Sequence, residues 1–296
     1  RSALRRQVEL TSAHARFVPR SFLQVLDRPS IDQIELGDHV LSEASILFSD
    51  IRGFTAMVED MGPAEAIEFI NAYLSRMEPA VQEGGGFVDS YIGDAVMAVF
   101  DRGPEPAITA ALAMTRGLRA WTRANDTGRP IRIGIGIATG EIMFGTIGAA
   151  NRMKCGVIGS TVNLASRIEE MTKRYGLGLL ITQGTYRALP DPARFQIREV
   201  DLVSVVGREA PVRLFEVFDA DPKNLREQKR RTAASVSRGL RLYRQGAVDQ
   251  ALELFEQCAL IAPDDPLIPI MVGRCRRTHD LARDPAWDGV DRTADP

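Results

Sequence analysis

Ile46-Leu47-Phe48-Ser49-Asp50-Ile51-Arg52-Gly53-Phe54-Thr55 runs an apolar segment into an aspartate and then into a glycine-containing turn. A second aspartate, Asp94, sits in the reversal Tyr91-Ile92-Gly93-Asp94-Ala95-Val96. A carboxylate at the end of a buried strand is costly unless it is paired or binds a metal. Either aspartate alone reads most simply as a turn or helix-capping residue. Two of them, each at a strand–turn junction, point to a divalent-cation site facing a phosphate chain.

Working outward, residues 44–49 form a strand and residues 63–81 a helix. Pro63 suits the first turn, and Ile67, Ile70, Leu74 and Met77 fall on one face. Gly84-Gly85-Gly86 ends that helix. Segments 87–92 and 95–100 then flank Gly93-Asp94, a hairpin signal. A helix at 106–124 follows, then strands at 131–138 and 142–147 separated by Thr139-Gly140. A third helix spans 161–175, and strands at 179–181, 195–206 and 212–218 complete a sheet. This order predicts an α/β (α+β) domain, a ferredoxin-like βαββαβ sandwich with extensions.

The predicted organisation has an N-terminal helical lead-in over 1–42 and the α/β domain over 43–218. A polar linker or helix start follows at 219–231. Residues 232–283 form a small α-helical unit, and 284–296 a disordered tail. Gly239 to Gly246, Ala251 to Phe255 and Ala262-Pro263 resemble one tetratricopeptide unit of about 34 residues. A lone unit cannot bury its own face, so it packs on the main domain or serves a protein partner. The lead-in is only loosely periodic: a helix packed on its own domain and a dimerising stalk fit it equally.

Of 296 residues, 45% are hydrophobic and 26% charged, with net charge -2. That balance gives no bulk argument for nucleic-acid or anionic-membrane binding. No apolar run reaches the ~18 residues of a bilayer span. Cys155, Cys258 and Cys275 make no disulfide framework and read as a reducing, cytoplasmic setting. His14, His39 and His279 have no zinc spacing. The chain opens at Arg1 rather than Met, which reads as the C-terminal part of a longer protein whose upstream part holds a sensor or a membrane anchor.

Three stretches taken together are specific: 48–55, 91–100 and Val162-Asn163-Leu164-Ala165-Ser166-Arg167-Ile168-Glu169. In this order they resemble the class III nucleotidyl cyclases, the adenylate and guanylate cyclases, closest to bacterial multidomain members. The resemblance implies conversion of a nucleoside triphosphate to a cyclic nucleotide and pyrophosphate, assisted by two divalent cations, Mg²⁺ or Mn²⁺. It implies that Asp50, Asp94 and the Ile51 carbonyl hold metal. The turn through Gly53, Phe54 and Thr55 would offer backbone N–H groups to phosphates. Asn163 and Arg167 would stabilise the transition state, the amide orienting the ribose and the guanidinium meeting charge on the α-phosphate. On spacing alone these two are an ordinary solvated helix face, with Arg167 salt-bridged to Glu170. In the family the aspartates and the Asn/Arg pair come from different protomers, implying a head-to-tail homodimer with two equivalent sites.

Base selection departs from the family pattern. Ser90 stands where a lysine usually reads adenine, and Gly156 where aspartate or threonine is usual. Gly156 leans slightly toward guanine and Ser90 fits neither scheme, which predicts relaxed discrimination; the resemblance, through the family's commonest activity, implies ATP as the default substrate and GTP as the second. Arg208 stands near the position of a family phosphate-binding lysine; a plain surface arginine is the alternative. A catalytically silent module that dimerises and binds nucleotide is the competing reading of another class.

Overall fold

The computed structural model describes residues 20–125, 131–149, 152–206, 210–279 and 287–292. The first nineteen residues of the lead-in and Arg208 lie outside this set. Strand β1 (His39–Ile51), helix α1 (Pro63–Glu83), strands β2 (Phe87–Ile92) and β3 (Ala95–Phe100), helix α2 (Pro104–Asn125) and strand β4 (Ile133–Ala149) build the core. Its strand order, β2-β3-β1-β4, is that of a ferredoxin-like sandwich. Both helices cover one sheet face through Tyr73, Met77, Val81, Ile108 and Leu118. The expected apolar face of α1 is rotated: Ile67 is 62% exposed, while Tyr73 and Val81 are buried.

Strand β4 is continuous where a break at Thr139-Gly140 was expected. It pairs with β1 from Ile133 to Gly145, so Gly140 sits mid-ladder opposite Ala44. Its glycines serve helix packing instead of a turn. A Cβ on Gly136 would lie 2.2 Å from the Glu169 nitrogen, and one on Gly140 would lie 2.9 Å from Thr161 Oγ1. Helix α3 (Ser160–Tyr175) thus lies in a track of small residues spaced by two, Gly134, Gly136, Ala138 and Gly140, which share a face. Beyond the core, β5 (Arg152–Ile158) pairs with the far half of β4. Strands β6 (Leu179–Thr182), β8 (Val212–Val217) and β7 (Ile197–Val203) extend the near edge.

Helices α4 (Lys223–Arg244), α5 (Val248–Ile261) and α6 (Leu267–Thr278) form the C-terminal unit. The polar segment read as a linker or helix start is helical from Lys223. Val236, Leu240, Phe255 and Met271 belong to one core with Leu164, Ile168 and Val200 of the α/β domain. Buried ions tie the unit down. Arg198 pairs with Glu216 (2.6 Å) and with Asp265, and Lys229 with Glu216 and Asp221. Arg274 pairs with Asp201 and, at 2.7 Å, with Asp291. Residues 287–292 contradict the expected disordered tail: Asp291 bridges to Val203, its carboxylate also receives Arg174, and Trp287 donates to the Tyr243 carbonyl at 3.0 Å. Charge complementarity to a buried guanidinium, invisible in sequence, orders this segment. Among the described residues no helix is long and apolar enough to cross a membrane.

Candidate active site

Asp50 is next to last in β1 and lies opposite Gly134. Ile46, Phe48 and Asp50 alternate onto the sheet face that carries α3. Asp94 lies in the β2–β3 turn, where Gly93 adopts a left-handed φ of 65° that costs glycine little. The Asp94 carboxylate accepts the Ile51 N–H at 3.0 Å. Burial, then hydrogen-bonding and charge contact with Asp50, push Asp94 up to about 6. The two predicted metal ligands are therefore together, and their mutual repulsion is what a divalent cation would relieve.

Among the described residues no third His, Cys, Asp or Glu completes a protein-only metal cage. Two carboxylates plus a backbone carbonyl suit a hard cation that takes its remaining oxygens from substrate phosphates and water. A cleft of about 200 Å³ opens beside Asp50, lined by Ser49, Asp50, Ile92, Ser166, Glu169 and Lys173 among others.

The sequence assigned no role to Lys173 and Glu169 of this cleft wall, or to Arg52 beside it. Lys173 meets Asp50 at 3.1 Å. Arg52 meets Glu169 at 3.2 Å and also donates to Thr172. Burial pushes Glu169 up to about 7, opposed by Arg52. The signal was present in the helix: Ser166, Glu169, Glu170 and Lys173 recur at three- and four-residue steps, hence on one face.

Asn163 is exposed and Arg167 partly exposed, one turn apart on α3. Neither side chain has a hydrogen-bond or ion-pair partner among the described residues, and the Arg167–Glu170 pair is not formed. Neither lines the Asp50 cleft. Within one chain the two halves of the expected site do not share the lining of that cleft.

Gly53, with φ 70°, precedes a short helix over Phe54–Glu59, and the Met57 N–H closes back onto the Gly53 carbonyl. The N–H groups of Phe54 and Thr55 are in the unpaired first turn. The Phe54 ring stacks on Phe69 at 6.4 Å, anchoring the turn. Ser90 follows an irregularity in the β2–β3 register and donates to Met97 Sδ at 3.7 Å. Gly156 lies opposite Gly145, and a Cβ there would meet only Asp89 and Lys154, at 3.7 and 3.8 Å. Strands β2 and β5 thus meet beside both base-selecting candidates. Asp89, not singled out in the sequence, has its pKa raised by burial.

Comparison with known proteins agrees with this geometry. The chain is 36% identical over 279 residues to the terminal-differentiation-specific adenylate cyclase of Dictyostelium discoideum, covering 92% of this chain and 13% of that protein. It is 43% identical over 210 residues to an adenylate cyclase of Anabaena cylindrica, covering 68% of this chain and 42% of the relative. The chain therefore spans less than half the length of either. Two solved structures are similar at a like level. The adenylyl cyclase CyaB from P. aeruginosa superposes with TM-score 0.53 at 30% identity, covering 61% of this chain and 96% of that one. The guanylyl cyclase Cya2 superposes with TM-score 0.54 at 31% identity, covering 64% and 98%. Residues 38–217 match the adenylate and guanylate cyclase catalytic domain, and the chain belongs to that family.

Proposed function

We propose that two copies of the chain together convert a nucleoside triphosphate, ATP by preference, into a 3′,5′-cyclic nucleotide and pyrophosphate. The observation that carries this is the division of the site. Asp50 and Asp94 are in contact beside one cleft, while Asn163 and Arg167, with no hydrogen-bond or ion-pair partner among the described residues, are not in the lining of that cleft. In the proposed reaction the ribose 3′-oxygen bonds to the α-phosphorus, the bond to the bridging oxygen of the β-phosphate breaks, and the 3′-hydroxyl proton is lost to solvent. Asp50, Asp94 and the Ile51 carbonyl would hold two cations, Mg²⁺ or Mn²⁺. Bound there, the ions supply hydroxyl activation and charge neutralisation on the triphosphate. The N–H groups of Gly53, Phe54 and Thr55, with Arg208, take the outer phosphates. Asn163 of the second copy orients the ribose, and its Arg167 meets charge growing at the α-phosphate.

The β4–β5 arm supports the homodimer. Leu41, Met143 and Ile158 stand side by side across β1, β4 and β5, and share a face with Gly156. Leu41 is 56% and Ile158 55% exposed, an apolar stripe suited to a self-complementary contact. A triphosphate substrate and three free thiols support a reducing, cytoplasmic setting.

Complementation tests the reading. Asp50→Ala and Arg167→Ala should each be inactive alone. Mixed equally, half the dimers carry one intact site, so about a quarter of wild-type activity returns. No recovery in a mixture shown to exchange subunits would overturn the shared site. GTP is the second substrate, favoured by the bare backbone at Gly156. Product profiles across four ribonucleoside triphosphates decide between them, and no pyrophosphate from any, with either metal, would establish a silent module.

A further inference from the structure

Behind the metal cleft lies a larger cavity of about 620 Å³. The end of α2, the start of β4, the end of α3 and the residues leading into α4 enclose it. Leu118, Ile133, Leu179 and Val217 are among the apolar residues of its floor, while Arg52, Arg119, Arg123, Arg132 and Lys173 line it with positive charge. The single carboxylate among the described lining residues, Asp221, is already held by Lys229 at 2.6 Å. Arg119 donates to the Ala220 carbonyl and Arg52 to Glu169. Arg123 and Arg132 have no hydrogen-bond or ion-pair partner among the described residues. The Arg132 charge acts against that of Arg52, and the Arg52 N–H donates to the Arg132 carbonyl at 2.8 Å, so these residues are close.

Arg123 and Arg132 are exposed at the rim of the cavity, and an exposed arginine needs no partner. The grouping of five cations around one apolar recess is what points to an anionic ligand. The volume suits a small organic ligand, and guanidinium forks match phosphate geometry. We propose that this cavity binds a small phosphorylated organic molecule, with its phosphate dianion on Arg123 and Arg132 and its apolar body on the floor.

The cavity is wired to the metal cleft. Lys173 lines both and pairs with Asp50 at 3.1 Å. Arg52 lines the larger one and pairs with Glu169, which lines the smaller. A dianion in the cavity draws Lys173 away from Asp50 and frees that carboxylate for a cation. Ligand and metal therefore strengthen each other's binding, by the same factor in either direction. This coupling rests on the reading of Asp50 as a metal ligand; the site itself does not.

The test is calorimetric titration of the full chain, free of metal, with phenyl phosphate and with inorganic phosphate. Phenyl phosphate should bind saturably at one site per chain and more tightly than inorganic phosphate. The Arg123→Ala/Arg132→Ala variant, with an unchanged melting profile, should weaken it about tenfold or more. Asp50→Ala should retain the binding, which separates this site from the cyclase reading. Absence of saturation, equal affinity in the double variant, or inorganic phosphate binding as tightly as phenyl phosphate would overturn the proposal. Mn²⁺ titrated in the presence of phenyl phosphate should bind more tightly than in its absence; an unchanged affinity would overturn the coupling.

Discussion

Replacing Gly136 by alanine should injure this protein at a distance from any reacting atom. The added Cβ would lie 2.2 Å from the Glu169 nitrogen, 2.6 Å from the Ala165 carbonyl oxygen and 2.8 Å from the Glu169 Cα. All three are backbone atoms of α3, so no side chain can swing aside. Ordinary carbon contacts need about 3.5 Å, which forces the helix back by about 1 Å. Overpacking of this kind costs about 1–3 kcal/mol, and at about 2–4 °C per kcal/mol the melting temperature should fall by about 2–12 °C. The same displacement carries Asn163 and Arg167 with it, and a misplacement of about 1 Å can cost about 100-fold in rate. Asp50 and Asp94 are not on that helix, so Mn²⁺ binding should change far less than kcat. Thermal unfolding, kcat at saturating triphosphate and Mn²⁺ titration read the three effects. Gly117 of α2 meets nothing within 4 Å, and Gly117→Ala is the control, expected to stabilise by about 0.5–1 kcal/mol. If Gly136→Ala melts and turns over like the parent, the close seating of α3 on β4 is wrong.

Other perturbations act on separate parts of the molecule. Asp94→Ala should remove Mn²⁺-dependent product formation while subunit association persists in sedimentation; an unchanged rate would refute the metal assignment. Arg274→Ala leaves buried Asp201 without its guanidinium and Asp291 with that of Arg174, and should destabilise by about 3–5 kcal/mol in denaturant unfolding. Burial already raises the pKa of Asp201 and Arg274 opposes that rise. A carboxyl group with a raised folded-state pKa contributes stability present at low pH and lost as pH rises, so the deficit of this variant should narrow on acidification; a pH-independent deficit would contradict it. Burial pushes the Cys275 thiol up to about 11, and Cys258 is also buried. Both should resist alkylation near pH 8, where half-buried Cys155 labels first by mass spectrometry; prompt labelling of Cys275 would show the C-terminal helices opening.

Local chemistry made the candidate site residues readable. An aspartate closing an apolar run and another in a glycine turn need a reason to exist, and the asparagine and arginine four positions apart on a helix complete a spaced pattern. Alternation and helix periodicity placed most of the core elements. The glycines of β4 misled at Thr139-Gly140, because a glycine that makes room for a helix and one that makes a turn look alike in sequence. Ile67 misled for a related reason: periodicity gives a stripe, and only the neighbouring ring of Phe69 and hydroxyl of Tyr73 show which way the helix rolls.

The order of residues by itself determined the family pattern, the acidic pair and the helix that bears Asn163 and Arg167, since each is set by chemistry within a few positions along the chain. Tertiary structure alone decided the rest. It set Lys173 on Asp50 across more than a hundred residues, gathered arginines from three segments around one recess, and drew Asp291 to Arg174 and Arg274. Charges far apart in sequence acquire a partner only when folding fixes the distance between them; the sequence records the charges, but Coulomb energy also depends on that distance and on the surrounding dielectric, which only the fold sets.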